Sequence, residues 1–445
     1  MKTLKKRELF GFCSFIGAEK LLYVLVTTYA TIFYISKLGM SPVFVAGLIF
    51  TTRMFDALND PLIGSLIEKG KTSYKTYINI TAVLLPLVTI LIFISPFEAT
   101  FATYAYASTI YVIWSILYTV SEVPIYSIVS TMTENEEEQE YIFSMSTVGS
   151  MIGMFFGLIL FAYYLRNGID AINWLAFAMS FGVFAFAQML ATMICVKENV
   201  VVPKHHDNIK LIDILRQTLK NKHLLTIMII YLSQLFVNAS AVISAYVYDG
   251  YYGAPTLGTI AGLVGMIAII PMAIAMPKLI KSFGKTNLIY LASICLIVPN
   301  FLILLLGVSS SSIIPFLVIS QLGLVIPSIL RPVYAQECIN YAKETTGHAN
   351  QASSFSLMTF FNKAGDAIGA SLGSLFLVIA GFDQAIGVSA QSMTTLKTLQ
   401  FFNFFGPIMM GICWFIGIRY FYKLRHRKPI EIDTFVTEVQ VAHDL

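Results

Sequence analysis

Long apolar runs separated by short polar connections cover almost the whole chain. A helix crossing a bilayer needs about 20 mostly apolar residues. Twelve runs meet that length, at roughly 10–35, 43–67, 77–95, 102–132, 142–164, 172–196, 223–247, 257–280, 287–306, 313–337, 353–381 and 399–423. The pattern predicts an all-α polytopic membrane protein of twelve transmembrane helices in two six-helix halves. The fourth and eleventh runs are over-long and are expected to tilt, kink or extend past the bilayer. The longest connection, 197–222, divides the chain into an N-terminal half, 1–196, and a C-terminal half with its tail, 223–445. Within it Ile209, Ile212, Leu215 and Leu219 recur at helical spacing beside Lys210, Arg216 and Lys220. That spacing predicts an amphipathic helix lying on the inner leaflet.

Composition agrees. Of the 445 residues 57% are hydrophobic and 12% charged, against about 25% charged in soluble chains. The net charge of +4 does not point to nucleic acid, because the basic residues are dispersed over short loops. Cys13, Cys195, Cys295 and Cys413 lie in apolar runs and Cys338 at the end of one, so neither a disulfide framework nor a metal motif is readable. The first run lacks an A-x-A-like cleavage site and is expected to stay as a membrane helix. Orientation follows from Lys and Arg. One side carries 22 of the 29, the other carries only Lys37, Arg166 and Lys397, and the remaining four lie in spans. Both termini are therefore expected in the cytoplasm, in the cell membrane.

Ionisable groups inside a bilayer cost about 2.5–3.5 kcal/mol each, so each one is a candidate for function. Glu19 and Lys20 lie in the first span, Arg53, Asp56, Asn59 and Asp60 in the second, and Glu122 in the fourth. The second half offers Lys363 and Asp366, and Arg331 toward the inner end of the tenth span. At about 100° per residue, Arg53, Asp56 and Asp60 fall within an arc of roughly 60°. Two carboxylates one turn apart cannot both stay ionised in a dry interior without a cation between them. Arg53 can neutralise one; the other needs a proton, a metal ion or a lysine. A hard cation such as Na⁺ favours oxygen ligands, which Asp56, Asp60, the Asn59 amide and the Thr119 hydroxyl supply. A static ion-pair network is the bland alternative, but five carboxylates on four spans exceed what packing requires. Arg331 is placed to snorkel to the interface.

Other features read as structure. Gly369-Ala370-Ser371-Leu372-Gly373 matches G-x-S-x-G inside an apolar span rather than on a strand-to-helix turn, and no histidine lies mid-membrane, so an enzyme is not expected. Gly149, Gly153 and Gly157 form a helix-packing stripe. The acidic run Glu134–Glu140 reads as a solvated loop.

The segment TRMFDALNDPLIG (Thr52–Gly64) resembles the hallmark segment of the glycoside–pentoside–hexuronide:cation symporters, the family of melibiose permease. YVIWSILYTVSEVPIYSIVSTMT (Tyr111–Thr133) resembles that family's fourth helix. The resemblance implies the major facilitator fold, with the solute site at the midplane between halves. It implies that Asp56 and Asp60 bind the coupling cation, Na⁺ or H⁺, with Asn59, Thr119 and Lys363 nearby. It also implies that Glu19 and Glu122 accept hydrogen bonds from sugar hydroxyls, with Tyr118 and Tyr126 as aromatic neighbours. Three departures matter: the fifth-helix Arg of melibiose permease has no counterpart in Ile142–Ser150, the aromatic four residues after the fourth-helix acid is Tyr126 rather than Trp, and both sugar-binding acids are Glu instead of Asp. The expected function is cation-coupled uptake of a small polar solute, a sugar foremost, with membrane lipid around it and no resident cofactor. The competing readings are a cation-dependent lipid or amphiphile carrier and a membrane receptor that no longer transports.

Overall fold

In the computed structural model the described residues, 4–97, 100–165, 172–200, 210–254, 256–383 and 388–426, are helical almost throughout. Within a bilayer the backbone must satisfy its own N–H and C=O groups, and a helix does so within one segment. The rods are α1 (residues 6–37), α2 (Pro42–Lys69), α3 (Tyr74–Ile92), α4 (residues 100–132), α5 (Glu136–Leu165), α6 (Trp174–Cys195), the short α7 (Leu211–Lys220), α8 (Lys222–Tyr251), α9 (Thr256–Phe283), α10 (Lys285–Leu306), α11 (Ile314–Thr346), α12 (Gln351–Ile379) and α13 (Met393–Phe421). Each apolar run of the sequence falls on one of the long rods. Among the described residues, nine of these rods are long and apolar enough to cross a membrane. α2 and α12 match them in length but carry polar residues midway.

Polar caps set several rod starts. Ser73, Asn173, Asn221 and Ser392 each accept a backbone N–H of the first turn, at α3, α6, α8 and α13. α1 packs along α5 and α6, and α3 against α4 and α6. In the second half α8 packs on α12 and α13, and α10 on α11 and α13. The α1–α5 approach depends on missing side chains: a Cβ on Gly153 would lie 2.0 Å from Gly17 O, and one on Gly149 2.3 Å from Cys13 O. The first six rods meet the last six most extensively along two pairs, α2 with α12 and α5 with α9, with further contacts of α5 with α11 and α4 with α12.

Polar bonds concentrate at the end of the bundle where α1 begins. Lys285 Nζ lies 2.7 Å from Glu140 and 3.2 Å from Glu337, whose other oxygen accepts from Tyr422 Oη at 2.8 Å. Asn340 donates to Glu136 and Gln139, both at 3.0 Å. Glu68, 2% exposed, accepts the Ala352 N–H at 2.6 Å. These bonds join α2 and α5 to α10, α11 and α12, so the two sets of rods are latched at this end.

Three expectations change. The acidic run is not a loop: α5 begins at Glu136, and its carboxylates sit in the first turns, where they oppose the positive helix end and bond across the bundle. α11 continues to Thr346, nine residues past the apolar run, because Glu337 and Asn340 find buried polar partners. α7 exposes Ile212 and Leu219 but buries Ile214 and Thr218. Thr218 donates to Ser353 on α12 at 2.9 Å, and Ser353 pairs with Ser65 on α2 at 3.1 Å, so α7 clamps both sets of rods. Ile209 lies outside the described residues.

Candidate functional site

Asp60 lies midway along α2, immediately before the internal Pro61, and is fully buried. Thr119 Oγ1 on α4 donates to Asp60 Oδ1 at 2.8 Å. Lys363 Nζ on α12 lies 2.9 Å from Oδ1 and 2.8 Å from Oδ2, with donor alignment toward Oδ1 alone. The same ammonium reaches Thr119 at 3.4 Å. Three rods thus converge on one carboxylate, and one of the three comes from the other half. Asp56, one turn earlier on α2, is half-buried and within electrostatic reach of Lys363; Asn59 is half-buried beside it. The Arg53 side chain lies outside the described residues.

A second cluster adjoins the first through α4. Lys20 Nζ donates to Glu122 at 2.9 Å and to Tyr118 Oη at 2.8 Å. Its ammonium also sits 5.8 Å from the Tyr23 ring centre and 5.4 Å from that of Tyr118, within cation–π range. Tyr118 stacks on Trp114 at 5.4 Å. Tyr126, one turn beyond Glu122, lies between Phe143 and Phe355, so an aromatic layer joins α4, α5 and α12 below the charged groups. On α4, Thr119 faces the Asp60 cluster, while Tyr118 and Glu122, a neighbour and one turn away, face Lys20.

Glu19 departs from the expected pose. It is fully buried, takes a bond from Ser121 Oγ at 2.9 Å, and leaves Oε2 without a partner among the described residues. In this state its carboxylate is turned into the α1–α4 contact. Asp366 also differs: it accepts from Asn238 on α8 at 2.8 Å and shares a small pocket with Arg331, rather than joining Asp60. Arg331 does not snorkel. It lies near the middle of α11, held by Gln234 and Asn362, with the Tyr231 ring 5.2 Å from its guanidinium. Sequence reasoning counted Lys20 among the membrane charges without giving it a partner, and passed over Ser121. Lys20 left a signal, a lysine beside an acid inside a span, but its partner could not be read from spacing.

Comparison with known proteins now decides the class. Residues 13–426 match the family described as MFS/sugar transport protein. The chain belongs to that family. The transporter is 24% identical to a symporter of Bacillus subtilis (strain 168), YjmB, over 97% of this chain and 94% of that protein. It is 23% identical to the isoprimeverose transporter of Lactiplantibacillus pentosus, over 85% and 81% of the two chains. Solved structures share the fold. A bacterial homologue of the iron transporter ferroportin, in an outward-facing state, aligns with TM-score 0.66 at 12% identity, covering 93% of this chain and 98% of that one. The human organic anion transporter MFSD10 aligns with TM-score 0.60 at 13% identity, covering 92% and 100%. The transporter is therefore an all-α, multi-pass membrane protein of the major facilitator type.

Proposed function

We propose that this transporter is a symporter that couples entry of Na⁺ or H⁺ to uptake of a small polar solute, a sugar or glycoside. The observation that carries the reading is the Asp60–Lys363 pair, a buried carboxylate on α2 gripped by an ammonium from α12. A mobile cation bound among Asp56, Asn59, Asp60 and Thr119 competes with Lys363 for the same oxygens. Cation binding therefore loosens a link between the halves, and loss of the cation restores it. That is what coupling requires: occupancy must bias the equilibrium between two conformations. The solute would lie against Lys20, Glu122, Tyr118 and Tyr126, with Glu19 entering when α1 and α4 shift. Because Thr119 and Glu122 share one stretch of α4, solute and cation each tighten binding of the other by the same factor.

The named substrate of the Lactiplantibacillus relative, isoprimeverose, supports a sugar. An amphiphile carrier fits less well, since the inter-half site is lined by charged and hydroxyl groups. No covalent step and no resident cofactor is assigned. With the Lys- and Arg-rich side inward, the latched end is cytoplasmic, both termini lie in the cytoplasm, and the protein resides in the cell membrane. The test is solute uptake into right-side-out vesicles. A Na⁺ or proton gradient should raise accumulation of a glycoside above its equilibrium level. Uptake that follows the solute gradient alone, whatever the cation gradient, contradicts the reading.

A further inference from the structure

A cavity of about 440 Å³ at the latched end has no part in the coupling scheme. Its walls come from the end of α7, the start of α8, the end of α11 and the start of α12. They carry Lys220, Lys222, His223 and His348 among hydroxyls and amides, and among the described residues no acid lines them. The ion pairs of the described residues include neither Lys220 nor Lys222. Glu344, in the same turns of α11, is exposed and stands outside the wall. The Tyr341 ring adds an apolar surface and meets His223 edge to face at 5.1 Å.

The chain itself supplies a matching segment. Beyond α13 the described residues run on to 426, with Lys423 within electrostatic reach of His223. Residues 427–445 lie outside the described residues. From Pro429 onward they hold Glu431, Asp433, Glu438 and Asp444, and no Lys or Arg. In Ile430-Glu431-Ile432-Asp433 acids alternate with isoleucines, so an extended chain turns both carboxylates to one side. At about 3.3 Å per residue, Glu431 can stand up to about 17 Å from residue 426, which brings the cavity within range. A larger cavity, of about 960 Å³, adjoins the same stretch at Leu424. There four acids balance four bases, and Lys285 is already paired with Glu140 and Glu337. An acidic segment gains nothing from it.

We propose that the basic cavity is the docking site of the chain's own acidic tail, residues 429–445, and that the docked tail holds the latched end closed. Thr218 is the lever: it lines the cavity and donates to Ser353, which pairs with Ser65 on α2. A tail seated against α7, α11 and α12 fixes that hydroxyl chain between the two halves. The inference rests on the transport reading only in that this end must open to release solute. Ion pairs at such a rim are screened by salt, so the hold weakens as ionic strength rises.

The contact is tested in the full-length protein in membranes, with a photo-crosslinking amino acid in place of Phe435. Adducts should fall on residues 217–223 and 341–354 of the same copy. Adducts on the larger cavity, on lipid or on a second copy instead overturn the docking, as does their absence from these residues. The hold is read from Ser65→Cys, at a site fully buried beside Ser353, through its alkylation rate in inside-out vesicles. Glu431→Gln with Asp433→Asn should speed alkylation about threefold, the scale of losing two exposed ion pairs. Lys220→Gln with Lys222→Gln should do the same, and all four changes together should add nothing further. Unchanged rates overturn the hold, and additive effects overturn the pairing of tail with cavity. If Ser65→Cys does not fold, Ser353→Cys, equally buried, reports the same opening. Neither readout uses a solute, so failure here leaves the transport reading standing, and failure of glycoside uptake leaves the docking standing.

Discussion

A carboxylate taken fully out of water holds its charge only through its neighbours, and for Asp60 those are Thr119 and Lys363. Removing one partner of such a pair leaves an uncompensated buried charge, at a cost of about 3–5 kcal/mol. Lys363→Met should therefore lower unfolding stability in detergent by that order, and adding Asp60→Asn should restore most of it. A single variant as stable as wild type would show that the pair contributes nothing. Glu122→Gln removes a charged acceptor, worth about 1.5–3 kcal/mol, and leaves Lys20 without its acid. Solute affinity should fall at least tenfold in equilibrium binding while cation affinity changes little; an unchanged solute affinity makes Glu122 structural. Most of this cluster was legible in the sequence, because the bilayer makes every charge conspicuous and the i, i+4 placement of Asp56 and Asp60 puts them on one face. Partner choice was not legible. Lys20 to Glu122, Ser121 to Glu19 and Asn238 to Asp366 depend on how each rod is rotated against its neighbours, which spacing along one chain does not encode.

At the scale of elements, the hydrophobic pattern located the long rods but misjudged their ends. Hydropathy falls where polar residues begin, at Glu136 and beyond Glu337, yet the helix continues wherever those residues find partners across the bundle. Arg331 was misread for a different reason: its partners Gln234 and Asn362 stand on α8 and α12, which spacing along one chain does not encode. The glycine stripe was readable, and it makes a sharp expectation. Gly153→Ala would place a methyl 2.0 Å from Gly17 O, against backbone that cannot turn aside. Overpacking of this kind costs about 1–3 kcal/mol. Gly47→Ala meets nothing within 4 Å and serves as the control. Thermal unfolding in detergent should separate the two; equal midpoints would mean that α1 and α5 are not held at this separation.

At the scale of the molecule, the two sets of rods are latched at one end by Glu68, Glu140, Lys285 and Glu337, and linked midway by Asp60 and Lys363. In the proposed orientation the latched end faces the cytoplasm. Cysteines placed at the two ends of α11 test this, at exposed Ser311 and Thr346. A membrane-impermeant thiol reagent outside the cell should label Ser311→Cys and spare Thr346→Cys; the reverse pattern inverts the topology. The central claim is that Asp60 makes transport cation-driven, by letting a mobile cation and Lys363 alternate on one carboxylate. Asp60→Asn keeps the volume and removes the charge over which they compete. The most direct measurement compares wild type and Asp60→Asn in the same vesicles, for accumulation against a gradient and for exchange of labelled solute at equilibrium. The account predicts that Asp60→Asn exchanges solute but no longer concentrates it under a cation gradient. Concentration of solute by Asp60→Asn at the wild-type level would contradict it and move the coupling site elsewhere.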